Sequence, residues 1–490
     1  MSETRDAVTP APLKSYIDGA WVLPAQSSGT VDAINPATET IAARVALCGP
    51  ADVDLAVAAA RRAFADYSVT AVAHRIALVR KLIAVFERRY GEMVAAITTE
   101  MGAPHDLSFQ SQAECGPGHL KETITAAQAL EWERPIGSTG KLVHEPIGVC
   151  VLITPWNWPI NQLAAKIGPA LLAGCTVVLK PSEIAPLSAQ LFAEFIDEAG
   201  FPTGVFNMLH GTGAMIGDAL TGHPGVDMVS FTGSTRAGIM VAKSAAETVK
   251  RVSQELGGKS PNIVFADVDL EAAITRGVLH CFNNSGQSCN APTRMLVEAS
   301  VYDEAVAIAA RVGASVKVGD PRRPGSHIGP VVSKSQFEKI QRLVQTGIDE
   351  GARVIVGGTG KPEGFEVGYY VKPTILADVD NGMTIAQEEV FGPVLVMIPF
   401  ADEGGAIAMA NDTPYGLAAY VQCADPVRAV RVAQAIRAGS VHLNGAGQDY
   451  CSPFGGYKQS GNGREWGIFG LEDYLERKVI NGFPFEAVTL

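Results

Sequence analysis

Four short apolar bursts with abrupt polar ends constrain the fold of this 490-residue chain most tightly. They are Val149–Thr154, Thr176–Leu179, Val205–Leu209 and Asp227–Phe231, with helical segments such as Ser188–Glu198 and Ala214–Leu220 between them. Apolar runs that do not alternate must be buried on both faces, which means parallel strands covered by helices on either side. Such sheets bind ligands beyond the carboxyl ends of their strands. Unusual residues gather at those ends: Pro155-Trp156-Asn157, Lys180-Pro181-Ser182-Glu183, His210-Gly211-Thr212-Gly213 and Thr232-Gly233-Ser234-Thr235. Ahead of the series, Ile76, Val79, Leu82, Ile83 and Phe86 recur at helical spacing and predict an amphipathic helix. After Pro261 the rhythm restarts, from Asn262 to about His442, with strands that include Arg353–Val356 and Val394–Pro399. Between about Gln128 and Val143 it breaks, because Pro135, Gly137 and Gly140 interrupt any helix. That stretch reads as strands leaving the domain to pair with another subunit's edge, completed by Tyr474–Ile480. The length exceeds what one core fills, so two large domains of roughly 200–250 residues are expected.

Composition narrows the function classes. A net charge of −12 with no basic run disfavours nucleic acid and anionic membrane surfaces as partners. The first ten residues carry Glu3, Arg5 and Asp6 and no apolar stretch, so no secretory signal is expected. No apolar stretch approaches the ~18 residues that span a bilayer. The eight cysteines are scattered without a C-x-x-C pair, which points to reduced thiols and a cytoplasmic protein. The nine histidines form no i, i+4 pair and no cluster with cysteine, so no metal is expected.

Chemistry concentrates in two runs. Phe282-Asn283-Asn284-Ser285-Gly286-Gln287-Ser288-Cys289-Asn290-Ala291 delivers a thiol on a small, Gly-containing polar turn. A lone cysteine is most often a small buried hydrophobe, but such a turn suits a sulfur that must approach a reacting carbonyl closely. Upstream, Gln254-Glu255-Leu256-Gly257-Gly258-Lys259 sets a carboxylate against a Gly-Gly pair. A soft nucleophile and a candidate general base on Gly-punctuated loops suggest covalent catalysis at a carbonyl.

The cofactor signal is less regular. Gly211-x-Gly213 sits on a strand-to-helix turn, yet the third glycine, Gly217, comes one place late for the dinucleotide fingerprint. Lys180 and Glu183 at a strand end could grip ribose hydroxyls, and a carboxylate there would repel a 2′-phosphate, favouring NAD over NADP. The plainer reading of that pair is a surface ion pair. The segment Thr232–Thr235 opens a helix from Arg236 to about Ala246, a seat for pyrophosphate or simply an N-cap.

Seven runs appear in one order: Pro155-Trp156-Asn157-Trp158-Pro159, Lys180-Pro181-Ser182-Glu183, Phe231-Thr232-Gly233-Ser234-Thr235, Glu255-Leu256-Gly257-Gly258-Lys259, Gly286-Gln287-Ser288-Cys289, Glu389-Val390-Phe391-Gly392-Pro393 and Pro453–Gly461. Together they resemble the aldehyde dehydrogenase superfamily from about Tyr16 to Phe483. The resemblance implies an α/β chain with a Rossmann-like parallel-sheet cofactor domain (1–127 and 147–257) and a second α/β catalytic domain (258–473). It also implies a small β oligomerisation flap (128–146 and 474–490) and a homo-oligomer, a dimer or a dimer-of-dimers tetramer. The family's cofactor domain departs from the ordinary fingerprint, which accounts for the late glycine.

By the same resemblance Cys289 attacks the aldehyde, Asn157 and the Cys289 backbone N–H hold the oxyanion, and Glu255 activates water against the thioester. Lys166 and Glu465 match positions that relay the base's proton; by themselves they would be surface charges. NAD is expected along Ile153, Thr154, Pro155, Trp156, Lys180, Ser182, Glu183, Gly213, Phe231, Gly233, Ser234 and Leu256, with Glu389 and Phe391 at the nicotinamide end. Trp158, Gln162, Ser288, Asn290, Gln448, Tyr450 and Phe454 fall in stretches that line the family's substrate tunnel. Buried amides want partners, so Gln162 and Gln448 suggest an aldehyde with a polar or carboxyl-bearing far end. Three rival functions stand beside this one. A CoA-acylating enzyme would lack Glu255, a thiol hydrolase would need a histidine base such as His280, and a binding protein would have no turnover.

Overall fold

A computed structural model describes residues 11–26 and 28–482. The first ten residues and the end of the expected flap, 483–490, which includes Phe483, lie outside the described residues.

The apolar bursts form the centre of a seven-stranded sheet. Its order is Arg251–Glu255, Met228–Thr232, Val149–Ile153, Thr176–Lys180 and Phe206–Met208, all parallel, followed by Ser15–Ile17 and Ala20–Val22. Every residue of Val149–Ile153, Thr176–Lys180 and Met228–Thr232 is buried, as strands covered on both faces require. The last two strands are an antiparallel hairpin on the edge, so the sheet is mixed and not purely parallel. Periodicity could not announce that hairpin, because three-residue strands are too short to show a repeat. Helices cover both faces, among them Val72–Arg88, whose Ile76, Val79, Leu82, Ile83 and Phe86 enter the core as their spacing predicts.

The second series forms another seven-stranded sheet. Its order is Arg353–Val356, Thr374–Ala377, Val394–Phe400, Arg294–Glu298, Pro261–Val264, Ala418–Gln422 and Ser440–Leu443. All its pairings are parallel except that of Arg353–Val356, which runs antiparallel at the edge. A third sheet joins Glu133–Ile136 and Leu475–Asn481 to opposite edges of Gly140–Pro146.

Register aligns the strand ends that form the cleft. Phe231 and Lys180 both lie opposite Ile153, and Thr232 lies opposite Glu255, so four strands of the first sheet end level with one another. The segment 256–260 then crosses directly to Pro261, where the second sheet begins. Cys289 lies in the loop that precedes Arg294, at the amino ends of the second sheet's strands. The carboxyl ends of one sheet therefore face the amino ends of the other across a cleft.

Candidate active site

The cleft narrows to a cavity of about 220 Å³ lined by Pro155, Trp156, Asn157, Gln162, Thr232, Gly233, Ser234, Leu256, Gly257, Cys289, Gln336, Lys339, Glu389 and Phe391. The thiol, the amide expected to hold the oxyanion and eight of the residues expected around the cofactor or substrate thus share one wall.

The loop that carries the thiol is strained. Asn284, Ser285 and Gly286 take left-handed φ values of 53°, 54° and 71° in succession. For the two non-glycine residues this costs on the order of 1–3 kcal/mol each. Side chains hold the turn: Ser285 Oγ donates to the Gly329 carbonyl at 2.8 Å, and the Val332 N–H donates to Gln287 Oε1 at 2.9 Å. Gly286 leaves no alternative, since a β-carbon there would stand 2.0 Å from the Gly392 carbonyl oxygen.

Asn157 is buried, and its Nδ2 donates to the Gln287 carbonyl at 3.0 Å. An amide nitrogen has two hydrogens, so one remains for an oxygen in the cavity. Glu255 is buried as well, and neither carboxylate oxygen has a protein hydrogen-bond partner. It is not in the cavity wall. Its carboxyl lies behind it, against Gly455 and Gly463, where β-carbons would come within 2.7 and 3.2 Å of Oε1.

Burial pushes the Glu255 carboxyl well above the ordinary range, and the Glu465 carboxylate adds to that rise while Lys166 opposes it. Lys166 and Glu465 form a buried ion pair, and Lys166 Nζ also donates to Ser230 Oγ at 3.0 Å. The surroundings do not lower the thiol. Burial raises Cys289, and the Glu389 and Glu255 charges raise it further. Burial thus favours the protonated form of both groups.

On the cofactor side the donor set suits a dinucleotide. Lys180 Nζ lies 3.2 Å from Glu183, pairing a donor with an acceptor for vicinal hydroxyls at a strand end. Ser182 Oγ accepts the Ile184 N–H, and the Thr154 N–H donates to the Lys180 carbonyl, tying these two strand ends together. Gly213 is the first residue of the helix Gly213–Thr221. The helix Thr235–Ala245 points its N-terminus at the cavity, and its first-turn N–H groups have no intrahelical partners. Ser234 Oγ accepts the Ala237 N–H there, which leaves its own hydrogen free to donate. Thr232 Oγ1 is buried without a protein partner, an orphan that a bound group would satisfy. At the other end Glu389 accepts the Gly258 N–H at 3.0 Å, and Phe391 (φ 59°) meets Trp156 edge-to-face at 5.4 Å.

The expected substrate residues separate. Gln162 lines the cavity, and its Oε1 is buried without a partner. Trp158 Nε1 donates to Ser288 Oγ at 2.8 Å, while the Asn290 carbonyl accepts the Tyr420 hydroxyl at 3.0 Å. Gln448 turns its Nε2 to the Pro453 carbonyl of its own loop. Tyr450 donates to Glu114 and packs on His119, and Phe454 stacks on Trp466 at 4.7 Å. Thr232 and Gly257 join the wall from runs already singled out in the sequence, whereas Gln336 and Lys339 were not anticipated there. Gln336 Nε2 holds the strained Phe391 segment by donating to the Val390 and Phe391 carbonyls. It and Lys339 belong to an amphipathic helix, Lys334–Asp349, with no motif to mark them.

Comparison with known proteins places these features in a family. The aldehyde dehydrogenase family model matches residues 21–480. A 3-succinoylsemialdehyde-pyridine dehydrogenase from Pseudomonas sp is 51% identical over 469 residues, covering 96% of this chain and 98% of that protein. A variant of aldehyde dehydrogenase C from Pseudomonas syringae, solved with NAD+ and octanal, is 47% identical with a TM-score of 0.95, covering 96% of this chain and 97% of that one. Betaine aldehyde dehydrogenase from Staphylococcus aureus, solved with NAD+, is 36% identical with a TM-score of 0.93, covering 98% and 97%.

Proposed function

The chain belongs to the aldehyde dehydrogenase family and oxidises an aldehyde to its acid with NAD, and from that premise we propose that Cys289, Asn157 and Glu255 carry the reaction. What supports the reading is the shared wall: the thiol, the Asn157 amide and seven of the expected cofactor residues line one cavity. The Cys289 thiol releases its proton to water in the cleft, and the resulting thiolate sulfur bonds to the aldehyde carbon. The carbonyl oxygen, now anionic, accepts from Asn157 Nδ2 and the Cys289 N–H, donors typically worth about 2.7–4 kcal/mol each. Loss of the aldehydic hydrogen with its electron pair leaves a thioester on Cys289. NAD, when bound, supplies the acceptor for that pair and a cationic ring that opposes the acidic surroundings of the thiol. Water then attacks the thioester, the C–S bond breaks and the acid departs.

Glu255 takes the proton from that water. Its carboxyl lies behind the wall, so it must turn toward the thioester in its ionised form, which burial disfavours. Lys166 and Glu465 are the buried pair through which that proton leaves. Glu183, beside Lys180, would accept the adenosine-ribose hydroxyls of bound NAD and repel a 2′-phosphate. The remaining expected residues, from Ile153 to Leu256 with Glu389 and Phe391, hold the rest of NAD.

The aldehyde has a hydrogen-bonding far end. Gln162 supports this, because its buried Oε1 has no partner in the cavity. An NADH absorbance assay over plain alkanals, aromatic aldehydes, semialdehydes and keto-aldehydes tests it. Higher kcat/KM for alkanals would remove the substrate reading, and undiminished turnover in Cys289→Ala would remove the mechanism.

The chain acts as a homo-oligomer, a dimer or a dimer-of-dimers tetramer, in the cytoplasm. The three-stranded sheet exposes Ile136, Val479 and Ile480, which suit a subunit contact. The described cysteines are all free, as a reducing compartment keeps them. Among the described residues no helix is long and apolar enough to cross a membrane. The same reading assigns 1–127 and 147–257 to the cofactor, 258–473 to catalysis and 128–146 with 474–490 to the subunit contact. Light scattering of the purified chain decides the assembly.

A further inference from the structure

We infer that Gln112 is a positioning residue for the oxyanion donor, acting on Asn157 through Asn284; this rests on the proposal that Asn157 is that donor. Gln112 ends a single π-helical turn, Ser108–Gln112, inserted between two α-helices. Turns of that kind recur where a side chain must be re-aimed at a functional site. The side chain is buried and takes no place in the wall of the Cys289 cavity.

The hydrogen bonds form a directed chain. Gln112 Nε2 donates to Asn284 Oδ1 at 2.9 Å, and it also reaches Met101 Sδ at 3.3 Å and, at the longest of the three distances, the Asn157 carbonyl at 3.5 Å. Asn284 Nδ2 donates to the Asn157 carbonyl at 2.9 Å and to the Gln287 carbonyl at 3.2 Å. Asn157 Nδ2 donates to that same Gln287 carbonyl at 3.0 Å. Main-chain carbonyls only accept, so the Asn284 amide nitrogen must face them and its oxygen must face Gln112. Gln112 is then obliged to donate. Its nitrogen fixes the one orientation of Asn284 that holds both the backbone of Asn157 and the carbonyl steering the Asn157 amide.

Asn284 has a left-handed backbone at the head of the strained turn leading to Cys289. Removing its Gln112 donor frees the amide to rotate, and both the thiol loop and the oxyanion donor lose their shared reference point. Small misplacements of that kind cost about 10- to 100-fold in rate.

The test is the pre-steady-state NADH burst of Gln112→Leu, Asn157→Ala and the double variant, with Gln112→Glu as a second form closer in shape. Gln112→Leu should slow the burst about 10- to 100-fold, with the KM for NAD changed less than about twofold. In the Asn157→Ala background the same substitution should slow it little further, because the donor it aims is gone. Equal slowing in both backgrounds, or a normal burst in the soluble Gln112 variants, overturns the proposal. A normal burst in Asn157→Ala alone would instead sink the oxyanion assignment on which it rests.

Discussion

A β-carbon on Gly258 would stand 2.3 Å from the carbonyl oxygen of Cys289. The segment joining the two sheets thus touches the backbone of Cys289, and it carries Glu255, 34 positions upstream (289 − 255), at its other end. Gly257 is similarly confined, since a β-carbon there would meet Glu389 Oε2 at 2.9 Å. The Gly-Gly pair allows one sheet's end to meet the other's beginning with the Glu389 carboxylate against it.

Gly258→Ala should therefore displace the Cys289 loop. The obstruction is backbone, which cannot swing aside, so a loss of about 1–3 kcal/mol is expected, together with a fall in kcat. Thermal unfolding and NADH production on one preparation check both. A variant with unchanged melting and turnover would contradict the close approach.

Separating the two chemical halves tests Glu255. Glu255→Gln should still give a burst of about one NADH per competent site, followed by steady turnover reduced about 100-fold or more. Cys289→Ala should show neither phase. Stopped-flow absorbance distinguishes these outcomes, and a normal steady rate in the glutamine variant would clear Glu255 of the role of base.

The acid limb of the rate profile should report the Glu255 carboxyl. Its pKa is raised by burial and then by Glu465, so the working, ionised form appears only as pH climbs through that raised value. Glu465→Gln deletes the negative charge and leaves Lys166, both of which lower the Glu255 pKa. The acid limb of kcat should move to lower pH. A shift to higher pH would reverse the assigned electrostatics.

Glu183→Gln removes the negative charge expected beside a 2′-phosphate. The ratio of kcat/KM for NADP over NAD should rise roughly tenfold, the equivalent of about 1.4 kcal/mol. An unchanged ratio would show that discrimination lies elsewhere.

Glu100 offers a test of stability. Its buried carboxyl accepts from Leu187 N, Ser188 N and Ser188 Oγ at the start of the helix Pro186–Ala199, and burial raises its pKa from 4.5 to about 7. A raised folded-state pKa means the folded chain keeps a proton that the unfolded chain has released. Its contribution is complete below pH 4.5 and falls away as pH rises toward about 7. Glu100→Gln should flatten that decline in melting temperature between pH 5 and 8. An identical slope in both proteins would count against it.

Much of the fold and the site was legible in the sequence. Fully buried parallel strands declare themselves as unbroken apolar runs, and Val149–Ile153 and Thr176–Lys180 did so within a residue of their ends. Cys289 and Glu255 stood out because small and glycine residues beside a reactive group have few structural uses. The edge hairpin at Ser15–Val22 did not, since strands of three residues have no periodicity to detect. Gln448 falls in a stretch expected to line the substrate tunnel, and in the structure its Nε2 donates to the Pro453 carbonyl of its own loop, a contact no motif announces.

Residue order by itself determined that two αβ layers would form and that unusual polar and glycine residues would collect at strand ends. Local hydrophobic pattern and glycine placement suffice for that, because they act over a few neighbours. Only the tertiary structure decided that Gln336 and Lys339 line the Cys289 cavity, that Gln112 reaches Asn284 behind it, and that burial favours the protonated forms of Cys289 and Glu255. Those properties depend on which groups lose water together and which carbonyls a buried amide must face, and both are set by contacts between segments tens to hundreds of residues apart.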